Sequence, residues 1–321
     1  MSIFVTGGAG FIGSNFIRLL LNSGHKVTNV DSLTYAANPE TIRDFEKNPN
    51  YRFVNADIRD KKAMYDVIDK GSFVFNFAAE SHVDNSIRNP YIFLETNVFG
   101  VQNLLEVCKD KKVDLFVQIS TDEVYGSLSM DQKSSQETDI LCPSSPYSAS
   151  KAAAEMLCFA YMRTFKVPII VTRSSNNFGP YQFPEKIIPL FISNLMSGKK
   201  VPVYGNGGNI RDWIFVEDNC EAILAVANRG VTGEIYNIGG GNEVKNIDLT
   251  KIILEKMGKD ESSIEFVEDR LGHDLRYSLD CSKTMDLGWS PKNSFETNIS
   301  KTVDWYLKNR QWWAVSYTHL T

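Results

Sequence analysis

This sequence predicts an α/β fold: a doubly wound parallel sheet of the dinucleotide-binding (Rossmann) type with a smaller mixed α/β substrate-capping region. Three observations carry the prediction. β-Rich runs alternate with helix-patterned segments through the first half, a glycine loop follows the first run directly, and the texture changes after Arg173. Such alternation marks βαβ units, in which helices cover both faces of a parallel sheet. Residues 1–176 are assigned to a dinucleotide-binding domain and 177–321 to a substrate-binding region, with the stretch 214–240 expected to return to the main sheet.

In chain order, the run at residues 3–5 leads into Gly7-Gly8-Ala9-Gly10-Phe11-Ile12-Gly13 and an amphipathic segment ending near Leu21. Gly7, Gly10 and Gly13 permit a tight turn and bring a pyrophosphate close to the N–H groups that open the helix, with Phe11 and Ile12 between them. The run at 26–30 ends on Asp31, where a carboxylate accepts hydrogen bonds from an adenosine ribose and repels a 2′-phosphate, so NAD is predicted over NADP. After the run at 51–54 comes Asp57, which either reaches the adenine edge or N-caps the next helix. Runs at 73–77, 115–119 and 169–171 complete the predicted sheet, with helical patterns at 89–109 and 147–165 between them. Beyond Arg173, glycine and proline clusters separate shorter elements, as in loops that complete a ligand cleft at the carboxyl edge of an open sheet. A helix at 217–229 and a strand at 234–238 are expected, whereas 314–321 carries no helical or strand pattern.

The net charge of −5 argues against a nucleic-acid partner and suits a small anionic ligand held in a local basic pocket. Five scattered cysteines with no CxxC spacing predict neither a metal site nor a disulfide framework, and place the chain in a reducing cytoplasm. No basic segment precedes an apolar run at the start, and no apolar stretch approaches membrane length, so neither secretion nor a membrane partner is expected.

The chemistry concentrates in Ser120-Thr121-Asp122-Glu123-Val124-Tyr125-Gly126 and Tyr147-Ser148-Ala149-Ser150-Lys151. Tyr147 and Lys151 lie one helical turn apart on one face, where an ammonium favours phenolate. Hydride transfer needs no adjacent carboxylates, but an elimination does: one carboxylic acid protonates a departing hydroxyl while a carboxylate removes a neighbouring C–H proton. Two close carboxylates suit those roles because ionising one raises the pKa of the other. The plainer alternatives are a surface Tyr–Lys pair and an acidic pair that caps the next helix.

The residues resemble the extended short-chain dehydrogenase/reductases, and within them the dTDP-glucose 4,6-dehydratases. The resemblance runs from Val5-Thr6-Gly7 through Ala78-Ala79-Glu80-Ser81-His82, the Thr121 and Tyr147 segments, Ser174-Ser175-Asn176-Asn177-Phe178-Gly179-Pro180, Phe183-Pro184-Glu185-Lys186 and Ile210-Arg211-Asp212-Trp213 to about Trp305. It implies that Tyr147, aided by Thr121 and Lys151, oxidises C4 of a nucleotide-sugar with NAD. Glu123 then takes the C5 proton, Asp122 protonates the C6 hydroxyl, and the hydride returns to C6. It implies cofactor contacts at Ile58, Ala78, Ser81, Thr96 and Asn177, beside those already named. Substrate contacts are implied at Thr121, Asn176, Lys186, Tyr204, Arg211, Arg270 and His273, with dTDP-glucose as the substrate. A homodimer built on 89–109 and 147–165 is also implied, with Phe93, Leu94, Val98, Met156 and Phe159 as candidate contacts. Leu271, Leu275 and Ser32 depart from the family pattern, where proline, arginine and lysine are usual. Alternative readings are a UDP- or GDP-sugar 4,6-dehydratase, a sugar-nucleotide 4-epimerase, which typically carries small hydroxyl residues at the Asp122 and Glu123 positions, and an NAD-sensing protein on the same scaffold.

Overall fold

The computed structural model describes residues 2–269 and 272–317. Among them are the strands β1 (Ile3–Thr6), β2 (Val27–Asp31), β3 (Tyr51–Asn55), β4 (Phe73–Asn76), β5 (Leu115–Thr121), β6 (Ile169–Ser174), β7 (Asn176–Phe178), β8 (Val201–Tyr204), β9 (Ile210–Phe215), β10 (Ile235–Ile238), β11 (Glu243–Lys245) and β12 (Ile264–Val267). The main sheet is ordered β3-β2-β1-β4-β5-β6-β10, and every pairing in it is parallel. β5 and β6 are buried at every position, as strands must be when helices cover both faces. The order of the strands reverses direction between β1 and β4, which opens a crevice at their carboxyl ends.

Beyond the main sheet, β11-β9-β7 form a second sheet and β12-β8 a third. They enclose a separate apolar cluster that includes Phe178, Phe191, Trp213, Phe215, Ile253, Ile299 and Trp313. The chain then comes back: the helix Val216–Arg229 packs on the helix Phe11–Asn22, and β10 adds to the main sheet beside β6.

Three local differences from the sequence reading have physical causes. β5 and β6 run on to Thr121 and Ser174, past the apolar runs, because their polar ends still pair, Ser120 with Arg173 and Thr121 with Ser174. The 89–109 segment is not one helix. Pro90 opens a short helix, Pro90–Leu94, and the backbone widens into a π turn over Glu95–Gly100 before the helix Val101–Lys111. That turn admits Asn97, whose side chain accepts from Glu80 N–H (2.9 Å) and donates to the Glu80 carbonyl (3.0 Å) and Ser150 Oγ (2.9 Å). At the C-terminal end the helix Arg310–Tyr317 occupies part of the stretch that shows no pattern in sequence. Two tryptophans hold it rather than an amphipathic stripe: Trp312 Nε1 donates to Thr41 Oγ1 (2.9 Å) and Trp313 Nε1 to the Tyr306 carbonyl (3.0 Å). Among the described residues no helix is long and apolar enough to cross a membrane, and no group of His, Cys, Asp and Glu is placed to hold a metal ion.

Candidate active site

One cleft runs along the carboxyl ends of the strands from the glycine loop to Lys186. At its start Gly7 has φ +71°, and a Cβ there would lie 2.5 Å from Ala78 N. A Cβ on Gly13 would fall 2.3 Å from the Gly7 carbonyl oxygen, so the loop packs against itself and β4 with no space for side chains. No side chain caps the helix Phe11–Asn22, and Gly10 to Gly13 line the cleft, which leaves the first-turn N–H groups to an anion. The cradle fits a dinucleotide pyrophosphate.

Asp31 is buried at the end of β2, accepting from Ala9 N–H at 2.9 Å and Leu33 N–H at 2.8 Å. Burial raises its pKa, and those two donors offset part of the rise. Asp57 and Ile58 line the same end of the cleft. Asp57 is not the cap of the next helix, since Asp60 accepts from Ala63 N–H in that role. Burial works against its ionisation, but the Arg59 guanidinium at 2.7 Å outweighs it and holds the carboxyl below its usual range. Ala78, Ser81 and Thr96 line the middle of the cleft, and Asn177 its far wall.

There the helix Pro146–Phe165 enters through a capping box between Ser145 and Ser148, with Pro146 in its first turn. This places Tyr147 and Lys151 in the cleft wall, both buried. Thr121 lies beside Tyr147, where it works against the rise in the phenol's pKa, and its hydroxyl donates to Asp122 Oδ1 at 3.2 Å. Lys151 Nζ donates to the Ile119 carbonyl at 2.6 Å, and burial lowers its pKa to about 8. Burial and the neighbouring Glu123 charge raise the Tyr147 pKa, opposite to the lowering expected from the ammonium. Asp122 and Glu123 also line the cleft. They do not cap a following helix; they form the turn Asp122–Tyr125, itself capped by Thr121, which accepts from Glu123 N–H at 3.3 Å. Asp122 is 3% exposed, and its Oδ2 has no hydrogen-bond partner among the described residues. Burial first, then the charges of Glu123 and Asp212, push its pKa well up.

A family described as GDP-mannose 4,6 dehydratase matches residues 4–302. The chain belongs to that family, among the extended short-chain dehydrogenase/reductases. The dTDP-glucose 4,6-dehydratase of Escherichia coli is 48% identical over 98% of this chain and 95% of its own. The low-salt glycan biosynthesis protein Agl12 of Haloferax volcanii is 50% identical over 96% of this chain and 99% of its own. Among solved structures, the dTDP-glucose 4,6-dehydratase DesIV of Streptomyces venezuelae, with NAD and dTDP bound, superposes with a TM-score of 0.96 at 47% identity, covering 98% of this chain and all of that one. UDP-glucose 4-epimerase from Thermotoga maritima follows at a TM-score of 0.89 and 31% identity.

The remaining residues expected of a member of this dehydratase family fall in two groups. Asn176 and Lys186 join the cleft: Asn176 Oδ1 and Asn177 Oδ1 are buried without a partner among the described residues, and Lys186 Nζ donates to the Ser81 carbonyl at 2.9 Å. Tyr204, Arg211 and His273 do not line it. Tyr204 and His273 stand edge to face with ring centroids 6.1 Å apart, and His273 meets Asp269 at 2.6 Å. Arg211 is buried, stacked 4.2 Å over the Tyr277 ring, and donates to the carbonyls of Ile210 (2.7 Å) and Asp274 (2.9 Å). Arg270 lies outside the described residues. His82 is a structural group, accepting from Asn85 N–H to cap the helix Val83–Arg88. The sequence reading assigned no role to Asp212, a buried carboxylate that accepts from Asn242 N–H at 2.7 Å and has its pKa raised to about 6 by burial. Its Arg211-Asp212-Trp213 motif was visible, but its effect on Asp122 depends on where the fold places β9, which spacing along the chain does not reveal.

Proposed function

We propose that this protein is an NAD-dependent dTDP-glucose 4,6-dehydratase. The observation that carries the proposal is a buried Asp122 next to Glu123 in the same cleft wall as Thr121, Tyr147 and Lys151. NAD, when bound, accepts the C4 hydride and later returns it to C6. Tyr147 takes the C4 hydroxyl proton as phenolate, the form that the positive charge of bound NAD and the Lys151 ammonium would favour against the burial that raises its pKa, with Thr121 beside the phenol. The C4 ketone acidifies the C5 proton, because the anion left behind is an enolate. Glu123 removes that proton. Asp122, kept neutral by burial and by the Glu123 charge, protonates the departing C6 hydroxyl. Adjacent small hydroxyl side chains, as in an epimerase, would leave the elimination without an acid or a base.

In this reading Gly7, Gly10, Phe11, Ile12, Gly13, Asp31, Asp57, Ile58, Ala78, Ser81, Thr96 and Asn177 hold the cofactor. Asn176 and Lys186 hold the nucleotide-sugar from the cleft wall, Tyr204, Arg211 and His273 are assigned to its base and diphosphate beyond that wall, and Arg270 to the diphosphate by family resemblance alone. The enzyme works as a homodimer in the cytoplasm. Exposed Tyr91, Leu94, Phe99 and Met156 support the dimer face, and Phe93, buried in its own subunit against Tyr147, is not part of it. The test is turnover of dTDP-glucose, UDP-glucose and GDP-mannose followed by mass spectrometry: dTDP-glucose should lose water fastest, and a preference for another nucleotide would reassign the substrate.

A further inference from the structure

Arg173 and Glu155 form an ion pair that is almost wholly shut away from water: Arg173 is 2% exposed and Glu155 0%. Nε donates to Oε1 and Oε2 at 3.2 and 3.1 Å, and Nη2 to Oε2 at 2.6 Å. A buried pair of this kind adds little net stability, because desolvating both charges costs about what their attraction returns. Its connections point elsewhere. Glu155 lies one helical turn past Lys151 on the Pro146–Phe165 helix. The guanidinium also lies 4.7 Å over the Tyr125 ring, and Nη1 donates to the Tyr125 hydroxyl at 2.7 Å. That hydroxyl donates in turn to Asn237 Oδ1 at 2.8 Å, on β10. Tyr125 is the last residue of the turn that carries Asp122 and Glu123.

The helix is therefore fastened to this segment twice. Lys151 grips Ile119 before the two carboxylates, and Glu155, through Arg173, grips Tyr125 after them. We infer that Arg173 is a positioning residue that locks the Asp122–Glu123 turn in register with the Tyr147–Lys151 helix, with Tyr125 as its point of attachment. This rests on the dehydratase reading. Oxidation depends on Tyr147 and Lys151, carried by the helix itself, and on Thr121, which the sheet holds through its pairing with Ser174. Elimination depends on the two carboxylates between the fastenings, so loosening the second one slows elimination selectively.

Tyr125→Phe keeps the ring and removes the hydroxyl bridge. It should cut steady-state dehydration about tenfold with KM unchanged. The single-turnover rate of cofactor reduction, read from the near-ultraviolet absorbance of the reduced form, should match the parent, and the reduced fraction should rise during turnover. Arg173→Lys keeps a cation beside Glu155 without the fork that spans to Tyr125, and should give the same pattern. Tyr125→Phe with half or more of parental turnover, or a loss shared equally by reduction and dehydration, would overturn the inference. Parental enzyme assayed alongside separates the two readings: failure of the parent to dehydrate dTDP-glucose counts against the dehydratase, and only a dehydrating parent with an unaltered Tyr125→Phe variant counts against the clamp.

Discussion

Lys151 is the residue whose titration can be read in two opposite directions. Burial lowers its pKa from 10.5 to about 8, so its ammonium is present below that pH and lost as pH rises through it. If the ammonium assists Tyr147, kcat/KM should decline above about pH 8, a limb that Lys151→Met should abolish together with most of the activity. Stability moves the other way. Between about pH 8 and 10.5 the unfolded chain holds more protons on this side chain than the folded one, so Lys151 contributes stability that grows as pH climbs through that window. Opposite trends in rate and in denaturant midpoint across one pH series would identify the group; a parallel fall of both would assign the limb to general unfolding. Tyr147→Phe should lower turnover by about 10²–10⁴, the range for losing an acid–base group, and parental turnover in that variant would remove it from the redox role. Asp122, Glu123, Tyr147 and Lys151 were legible in the sequence because short-range spacing fixes them. Asp212 and Arg173 were not, since each acts on the site across strands that only the fold brings together.

At the scale of elements, the first βα unit is the most transparent, because Gly7 and Gly13 answer to backbone geometry that no other residue satisfies. Gly13→Ala should fold poorly around the cofactor loop and lose NAD on gel filtration, as its Cβ would meet the Gly7 carbonyl at 2.3 Å; retention of NAD equal to the parent would show that the loop can shift. The parallel strands were legible as apolar runs up to the point where site residues begin, which is why β5 and β6 outrun the pattern by their polar ends. The small sheet β11-β9-β7 was not legible: its strands are short, interrupted by glycine loops, and assembled from three distant parts of the chain. The Glu95–Gly100 turn escaped for a different reason, because one buried amide, Asn97, overrides an otherwise helical pattern. Trp313 illustrates the same override at the end of the chain. It is 1% exposed in the second core, so Trp313→Ala should cost about 3–5 kcal/mol in denaturant unfolding, and a loss below about 1 kcal/mol would mean the helix is not anchored there.

For the whole molecule, the main sheet and the second sheet come together at the proposed site, where the charge of Asp212 on β9 adds to the rise in the pKa of Asp122 in the turn after β5. Exposed Tyr91, Leu94, Phe99 and Met156 lie on the segments expected to pair two subunits, and Leu94→Asp with Met156→Asp should turn a dimer into a monomer by light scattering. An unchanged mass would place the interface elsewhere. The reaction itself is decided by following one atom. With dTDP-glucose deuterated at C4, a dehydratase that keeps its cofactor bound must carry the label away from C4 and return it to C6 of the same sugar, while a solvent proton enters at C5. Mixing labelled and unlabelled substrate should give no crossover, because the cofactor has no need to leave between the two transfers. Asp122→Asn should stall this sequence after the label has left C4, since the C6 hydroxyl then lacks its acid. Label retained at C4 with inversion there and no loss of water would instead mark an epimerase, and would leave buried Asp122 and its neighbour Glu123 without a chemical role.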